Sequence, residues 1–437
     1  MIISPAFADK HYALLGLARS GLAALDALVA SGAKVTAWDG QPDQRALAQD
    51  KAVIADLLEA DMTAFDAIVV SPGVPLNSNP IAARARAAGV PVIGDIELFA
   101  QARASLPPHK LVGITGTNGK STTTALIDHI LRTAGRASLM GGNIGLPIMS
   151  RTPLEPNDLG PAVYVLELSS YQIDLTQSLD CDVAVLLNIT PDHLDRYDGF
   201  EAYAASKGRL FSMQSKQHEA VIGIADTPSA LIARQLDRPS RHITKIAPGV
   251  CMDQSRWPSL QGPHNAQNAL AAIAACEALG VPNEAIDRGL ESFGGLPHRM
   301  ERLGQFGGVH FVNDSKATNP ASTAPALAAF DRIRWIVGGL PKDDNLDECA
   351  PNFANVVKAY TIGDAGPAFA RLLAGHMEVD ESEMLATAVR RAVRDAQPGD
   401  TVLLSPACAS FDQFRDFEAR GACFREAVSI YAGGDHG

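Results

Sequence analysis

The sequence predicts an α/β protein with three domains in series, and three observations lead to this fold class. Short apolar runs alternate with segments of helical apolar spacing, which is typical of parallel sheets covered by helices. The 437 residues are too many for one hydrophobic core and fit about three domains. Polar, glycine-containing clusters follow the apolar runs, where open parallel sheets bind ligands.

The first hundred residues predict a Rossmann-like domain. A strand, a turn, a helix and a second strand are expected at 12–15, 16–21, 22–30 and 34–38. Gly16 and Gly21 occupy the first and third glycine positions of the dinucleotide fingerprint, and Asp39 follows at a suitable distance. Ala18 replaces the middle glycine, which weakens the case for a nicotinamide cofactor but leaves a nucleotide diphosphate site open.

A second turn in this domain follows an apolar strand predicted at 67–70. Ser71, Pro72 and Gly73 stand at its carboxyl end, where they form either a ligand site or a plain β-turn. Residues 101–110, which contain Pro107 and Pro108, are expected to be a linker.

The stretch LVGITGTNGKSTTTA, residues 111–125, predicts a central P-loop ATPase domain. An apolar strand ends in a glycine-rich turn and a helix begins at Lys120, although Ile114 stands where the strict P-loop formula has glycine. Backbone N–H groups and the helix dipole would converge on phosphates, with Lys120 on the β- and γ-phosphates and Ser121 on Mg²⁺. The expected phosphate-binding residues are Gly116, Thr117, Asn118, Gly119, Lys120, Ser121 and Thr122.

Further strands are predicted at 162–166 and 182–189, and Glu167 ends the first of them. A carboxylate beside a P-loop strand suits Mg²⁺, so Glu167 is a metal candidate. Surface strands and loops are expected at 243–262, and an alanine-rich helix at 269–279, capped by the run 262–268. Strands at 309–312, 333–337, 360–362 and 401–404, each followed by polar residues, predict a Rossmann-like C-terminal domain.

Composition excludes several classes of function. A net charge of -12 with no Lys/Arg-dense block argues against nucleic acid or an anionic membrane as the main partner. Six scattered cysteines without a CxxC pair indicate reduced thiols. The first residues lack a signal peptide, and no apolar run reaches the length of a membrane span, so we expect a cytoplasmic protein.

The motifs resemble those of the Mur ligases of peptidoglycan synthesis along nearly the whole chain. Shared runs are GITGTNGKST, GGNIG around Asn143, LELSSYQ around Glu167, NITPDHLDRY around His193, GPHNAQN and GLPHR. NDSKATNP and SPACASFDQF are similar to the branch that adds D-glutamate to UDP-N-acetylmuramoyl-L-alanine. The resemblance implies a monomer whose substrate-binding, ATP-binding and glutamate-binding domains span 1–98, 99–297 and 298–437.

The resemblance further implies ATP-driven amide formation through an acyl phosphate with two Mg²⁺ ions. The catalytic residues would be Lys120, Glu167, His193, Lys207 and Lys316. The metal ligands would be Ser121, Glu167, His193 and a carbamylated Lys207. Contacts to adenine and phosphate would come from Asn268, Arg299 and Asp314.

Substrate contacts are implied in the same way. The uridine diphosphate end would meet Arg19, Ser20, Asp39, Ser71, Gly73 and Asn143. The incoming glutamate would meet Thr318, Lys342, Ser410 and Phe417. Gly40 and Gln41 depart from the family pattern, which would have a hydroxyl and an arginine there.

Three alternatives remain open on sequence. A nicotinamide-dependent oxidoreductase would use the Gly16 turn but leaves the Lys120 loop without a role. A non-catalytic nucleotide-binding module would keep the loop without needing Glu167, His193 and Lys342. A sister ligase would add L-alanine, a diamino acid, a dipeptide or L-glutamate instead.

Overall fold

The computed structural model of the chain describes residues 1–192, 196–247, 252–341 and 345–433. His193 and Lys342 of the predicted site lie outside the described residues. The chain divides into two compact units, Met1–Phe293 and Gly294–Gly437, and contains three sheets in the described part.

The first sheet belongs to the Rossmann-like domain expected from the sequence. Its strands are β1 His11–Leu15, β2 Lys34–Trp38, β3 Val53–Ile54, β4 Ala67–Val70 and β5 Val92–Ile93. The surrounding helices are α1 Arg19–Ala30, α2 Pro42–Ala46, α3 Ile81–Ala88 and α4 Asp95–Ala102. All pairs are parallel in the order β3-β2-β1-β4-β5, so the strand order reverses between β1 and β4. A crevice that binds ligands is expected at that reversal.

The central sheet has six parallel strands and follows the first domain within the same unit. Its strands are β6 His109–Thr115, β7 Ser138–Gly142, β8 Ala162–Glu167, β9 Val183–Leu186, β10 Glu219–Gly223 and β11 His242–Ile246. Its helices are α5 Lys120–Thr133, α6 Ser170–Asp174, α7 Phe200–Ser212, α8 Thr227–Leu236, α9 Pro263–Ala278 and α10 Asn283–Ser292. The order β11-β10-β9-β6-β8-β7 places the P-loop strand β6 between β9 and β8.

The third sheet forms the second unit and mixes strand directions. Its strands are β12 Glu301–Phe306, β13 Val309–Asn313, β14 Ile333–Gly338, β15 Val356–Ile362, β16 Glu378–Glu383 and β17 Thr401–Leu404. Its helices are α11 Pro320–Ala328, α12 Gly366–Leu373, α13 Leu385–Asp395 and α14 Phe417–Tyr431. The order is β12-β13-β17-β14-β15-β16, and only β12 pairs antiparallel among these described strands.

The first and central domains share one hydrophobic core. Phe99 of α4 packs edge-on against Tyr164 of β8, with ring centroids 5.2 Å apart. The Ile2 amide donates to Met149 O at 3.0 Å. Glu97, 2% exposed, accepts hydrogen bonds from the backbone N–H groups of Gln177 and Ser178 at 2.7 and 2.9 Å. Apolar contact and a buried carboxylate therefore join the two domains.

Two local predictions were wrong. Residues 101–110 are not a linker, because α4 runs to Ala102, a 3₁₀ helix spans Arg103–Ser105 and β6 begins at His109. The Arg103 guanidinium donates to Asp180 O and thereby holds this segment against the central domain. Helix α9 begins at Pro263 rather than at residue 269, since Gly262 is its N-cap and proline is favoured in the first turn. Within the described ranges no helix is long and apolar enough to cross a membrane.

Candidate active site

The predicted phosphate loop is a tight turn between β6 and α5. Gly116 and Gly119 have φ values of +150° and +85°, which favour glycine. A Cβ on Gly119 would lie 2.2 Å from Asn268 Oδ1, so the loop also needs glycine for close approach. Lys120 begins α5, and its Nζ donates to Gly116 O and Thr117 O at 2.9 and 2.8 Å. Strand, turn and helix start lie where the sequence places them.

Asn188, just after β9, holds this loop in shape. Its backbone O accepts from the Thr117 N–H, and its Oδ1 accepts from the Asn118 N–H, each at 2.8 Å. The Thr117 hydroxyl also lies 3.0 Å from the Tyr203 hydroxyl. Sequence reasoning missed Asn188 and Tyr203 as site residues. The available signals were the position of Asn188 after a buried strand and the i,i+4 spacing of Tyr203 and Lys207 on α7.

Glu167 ends β8 directly beside the phosphate-loop strand, in register with Ile114 of β6. Its side chain is buried, and Oε1 accepts from Asn143 Nδ2 at 2.8 Å. The buried Oε2 has no hydrogen-bond partner in the described part of the chain. Such an atom costs free energy unless a further partner meets it, and an oxygen ligand for Mg²⁺ has that property. The Ser121 hydroxyl in the first turn of α5 offers a second oxygen ligand. Glu167 and Ser121 together therefore fit a magnesium ion.

Lys207 lies on α7 beneath the loop and is 1% exposed. Its Nζ donates to Gly116 O at 2.9 Å and lies 4.6 Å from the centroid of the Tyr203 ring. The pKa of this amine lies well below its usual value. Burial is the larger cause, and the positive charge of Lys120 is the next largest. Among the described residues, no group of three or more His, Cys, Asp or Glu side chains is arranged so that it could hold a metal ion.

Asn268 of α9 lies against the phosphate loop, close to Gly119. It is buried, accepts from the Thr123 hydroxyl at 3.3 Å and donates to Asn265 Oδ1 at 3.1 Å. It lies in the second turn of α9 and therefore does not cap this helix, although the sequence predicted a cap in the run 262–268. Thr122, half-buried on α5, precedes Thr123.

The predicted substrate residues of the first domain gather around the Gly16 turn. Asp39 Oδ2 accepts from the Leu17 N–H at 2.7 Å, and Ser71 Oγ donates to Gly16 O at 2.8 Å. Residues Arg19 and Ser20 stand in the first turn of α1, where unpaired N–H groups favour an anion. Gly73 lies in the turn after β4, with open space beside its Cα.

Two of the predicted substrate residues reach or belong to the central domain. The exposed Arg19 donates to Gly145 O at 3.1 Å. Asn143 lies at the end of β7, where its amide side chain donates to Glu167. Asn143 therefore lies beside the candidate metal carboxylate.

In the second unit, Asp314 follows β13 and is buried. Its carboxylate accepts from the Ser405 hydroxyl at 2.8 Å and from the Met300 N–H at 3.1 Å. Burial raises the pKa of this carboxyl to about 7. Lys316, two residues later, has its Nζ 3.7 Å from the centroid of the Phe417 ring. Arg299, half-buried, precedes β12.

Two of the predicted glutamate residues, Thr318 and Ser410, lie on two loops that Arg420 joins. Its buried guanidinium donates to Ser315 O, Cys408 O and Ala409 O at 2.8, 3.0 and 3.1 Å. One loop carries Thr318, half-buried before α11, and the other carries Ser410, which is buried. Sequence reasoning missed Arg420, because a single arginine within a helical segment gives no signal of burial. Phe417, half-buried, begins α14.

Comparison with known proteins gives three matching family domains. The Mur ligase MurD-like N-terminal domain matches residues 10–94. The Mur ligase middle domain matches 114–249, and the Mur ligase glutamate ligase domain matches 298–408.

Two curated relatives align over almost the full chain, and both carry the name UDP-N-acetylmuramoylalanine–D-glutamate ligase. The protein from Novosphingobium aromaticivorans is 61% identical over 430 residues, covering 98% of this chain and 96% of its own. The protein from Sphingopyxis alaskensis is 59% identical and covers 98% of this chain and 99% of its own.

Solved structures share the fold at low identity. MurF from Acinetobacter baumannii has a TM-score of 0.59 at 20% identity, covering 90% of this chain and 91% of its own. The UDP-N-acetylmuramate-alanine ligase MurC from Thermotoga maritima has a TM-score of 0.58 at 17% identity, covering 96% and 99%. The sequence relatives and the three matched domains lead to one conclusion: this chain belongs to the Mur ligase family.

Proposed function

We propose that this chain is an ATP-dependent ligase that adds D-glutamate to UDP-N-acetylmuramoyl-L-alanine in the synthesis of peptidoglycan precursors. The observation that carries the proposal is the meeting of a phosphate loop, the buried Glu167 carboxylate and the buried Lys207 at one edge of the central sheet. The name of the relative that is 61% identical supports the choice of substrates.

The reaction joins a carboxylate to an amine. An oxygen of the substrate carboxylate attacks the γ-phosphorus of ATP, the bond to the β-phosphate oxygen breaks, and ADP leaves. The glutamate amine then attacks the acyl carbon, loses a proton and expels inorganic phosphate. The first step brings two anions together, and the second places negative charge on the acyl oxygen and the departing phosphate, so cations and N–H donors around the phosphates lower both barriers.

The chain's own residues supply those donors. The backbone N–H groups of residues 116–122 would hold the ATP phosphates. When ATP binds, the Lys120 ammonium would donate to phosphate oxygens instead of to the carbonyls of Gly116 and Thr117. Ser121 and Glu167 would hold Mg²⁺, which neutralises phosphate charge when bound. Asn143 orients the Glu167 carboxylate by donating to Oε1.

A second Mg²⁺ ion and the modification of Lys207 belong to the same proposal. Lys207 would carry a carbamate, formed when its neutral amine attacks carbon dioxide and releases a proton. The carbamate and His193 would be the ligands of the second ion. Burial of Lys207 beside Gly116 O supports this role, because an enclosed amine favours its neutral form.

The remaining predicted residues complete the three binding regions of a cytoplasmic monomer with domains 1–98, 99–297 and 298–437. Adenine and phosphates would contact Asn268, Arg299, Asp314 and Lys316. The uridine diphosphate end would contact Arg19, Ser20, Asp39, Ser71, Gly73 and Asn143. D-Glutamate would contact Thr318, Lys342, Ser410 and Phe417, since a dicarboxylate needs more than one anion site.

Phosphate release tests the function. ATP, Mg²⁺ and UDP-N-acetylmuramoyl-L-alanine are supplied with D-glutamate, L-glutamate, L-alanine or a diamino acid in separate reactions. We expect release only with D-glutamate. Release with a different amino acid would refute the assignment of Thr318, Lys342 and Ser410, and bound ATP without release in any reaction would refute the ligase.

A further inference from the structure

Arg196 connects the first domain to the central domain at the edge of the proposed site. Its Nη2 donates to Val74 O at 3.1 Å, and its guanidinium carbon lies 4.4 Å from the centroid of the Tyr171 ring. Val74 ends the turn that follows β4, whereas Tyr171 lies on α6, shortly after Glu167. One cation therefore touches a turn of the first domain and the helix beside the candidate metal carboxylate.

An aromatic stack continues from Tyr171 to the phosphate loop. Tyr171 lies parallel to Tyr197, with centroids 5.9 Å apart and an interplanar angle of 10°. Tyr197 meets Tyr203 edge-on at 5.5 Å, and the Tyr203 hydroxyl lies 3.0 Å from that of Thr117. Packed rings resist compression, so this stack sets the distance between the guanidinium and the loop.

The turn of the first domain keeps its shape without Arg196. Ser71 Oγ donates to Gly16 O at 2.8 Å, the Ser71 N–H donates to Leu15 O at 3.0 Å, and the Val74 N–H donates to Ser71 O at 3.0 Å. These bonds lie within the first domain. Arg196 therefore fixes the position of the turn relative to the central domain. The conformation of the turn depends on the turn's own hydrogen bonds.

We propose that Arg196 is a positioning residue that keeps the two ends of the nucleotide substrate site in register. The inference rests on the proposed function, in which the substrate's uridine diphosphate lies in the first domain and its carboxylate reacts in the central domain. A ligand that spans both domains feels any displacement between them, and misplacement by about 1 Å is costly to catalysis. Five of the six residues proposed to contact uridine diphosphate, all except Asn143, lie in the first domain, so binding of uridine diphosphate alone depends far less on that displacement.

Calorimetric titration with uridine diphosphate and with UDP-N-acetylmuramoyl-L-alanine separates these effects. Arg196→Ala is expected to bind the full substrate about tenfold more weakly, because a charged hydrogen bond is lost, and to bind uridine diphosphate within about twofold of wild type. Its KM for the full substrate should rise about tenfold while its KM for ATP stays within about twofold. Arg196→Lys should fall between, because lysine keeps the charge but lacks the planar group that packs on Tyr171.

Arg84→Ala is the matched control, since Arg84 Nη2 donates to Ala60 O at 2.8 Å entirely within the first domain. It should leave the ratio of the two affinities unchanged. Equal weakening of both ligands in Arg196→Ala, or weakening of neither, would overturn the inference while the function stands. A wild-type chain that binds neither ligand would overturn the proposed function and this inference with it.

Discussion

Replacing Gly119 by alanine tests how the phosphate loop is built. The positive φ of +85° costs about 1–2 kcal/mol for a residue with a Cβ. That Cβ would also lie 2.2 Å from Asn268 Oδ1 and force Asn268 away from Thr123 and Asn265. Each of those hydrogen bonds is worth about 1 kcal/mol, so the expected loss in the free energy of unfolding is about 3–4 kcal/mol.

ATP binding should suffer alongside stability, because the N–H groups of the loop would no longer converge. We expect the affinity for a non-hydrolysable ATP analogue to fall by about a hundredfold. Gly89→Ala is the matched control: its φ is +71°, yet no atom lies within 4 Å of the added Cβ. It should lose only the strain of about 1–2 kcal/mol and bind the analogue normally.

Urea unfolding and calorimetry measure both quantities on the two variants. If Gly119→Ala were as stable as Gly89→Ala and bound the analogue like wild type, the contact between the loop and Asn268 would have no role in shaping the site. A loss of stability without a loss of affinity would contradict the link between loop shape and phosphate binding.

Three further predictions concern other parts of the molecule. Glu97→Gln should lower the free energy of unfolding by about 1–3 kcal/mol in urea titrations, because one acceptor oxygen of the buried carboxylate that joins two domains is lost. Glu59→Gln, at an exposed position, should leave the free energy of unfolding unchanged. Asp314→Asn should be more stable than wild type at pH 8 but not at pH 4, since the pKa of this carboxyl is raised to about 7 by burial. ¹³C-labelled bicarbonate should give a protein-bound carbamate signal in nuclear magnetic resonance that Lys207→Ala lacks.

The sign of the Asp314 effect follows from linkage. Below about pH 4 the carboxyl is protonated in the folded and the unfolded chain, so pH does not favour either state. As the pH rises towards 7, only the unfolded chain ionises this group freely, and wild type loses stability. The asparagine variant has no such loss, and unchanged relative stability between pH 4 and pH 8 would contradict the argument.

For Lys207, a labelled carbamate signal that persists in Lys207→Ala would place the carbamate on another residue.

The sequence predicted the sheets and the phosphate loop because these depend on local patterns. Apolar runs such as β6 and β8 end at polar residues, and parallel pairing brings their carboxyl ends to one edge. Glu167 could therefore be placed beside the loop before its contacts were known. The glycine spacing likewise located the turn before α5.

The roles that the sequence did not reveal depend on distant contacts. Arg420 contacts Ser315 and Cys408 from a helix whose own pattern is ordinary. The segment after α4 was misread because Pro107 and Pro108 suggest a linker, whereas its anchor at Asp180 is contributed by the central domain. The start of α9 was misplaced because polar residues in its first turns look like a cap.

The core that joins the first two domains also governs how the chain folds during synthesis. Ile2 and Phe7 pack in the same cluster as Met149 and Tyr164, which the ribosome adds much later. Roughly 150 residues separate the two pairs, so at roughly 5–20 residues per second the interval is roughly 7–30 s. During that interval the first-domain side chains of this cluster lack the part of their covering surface that the central domain contributes, so shielding by a chaperone would raise the yield of folded protein.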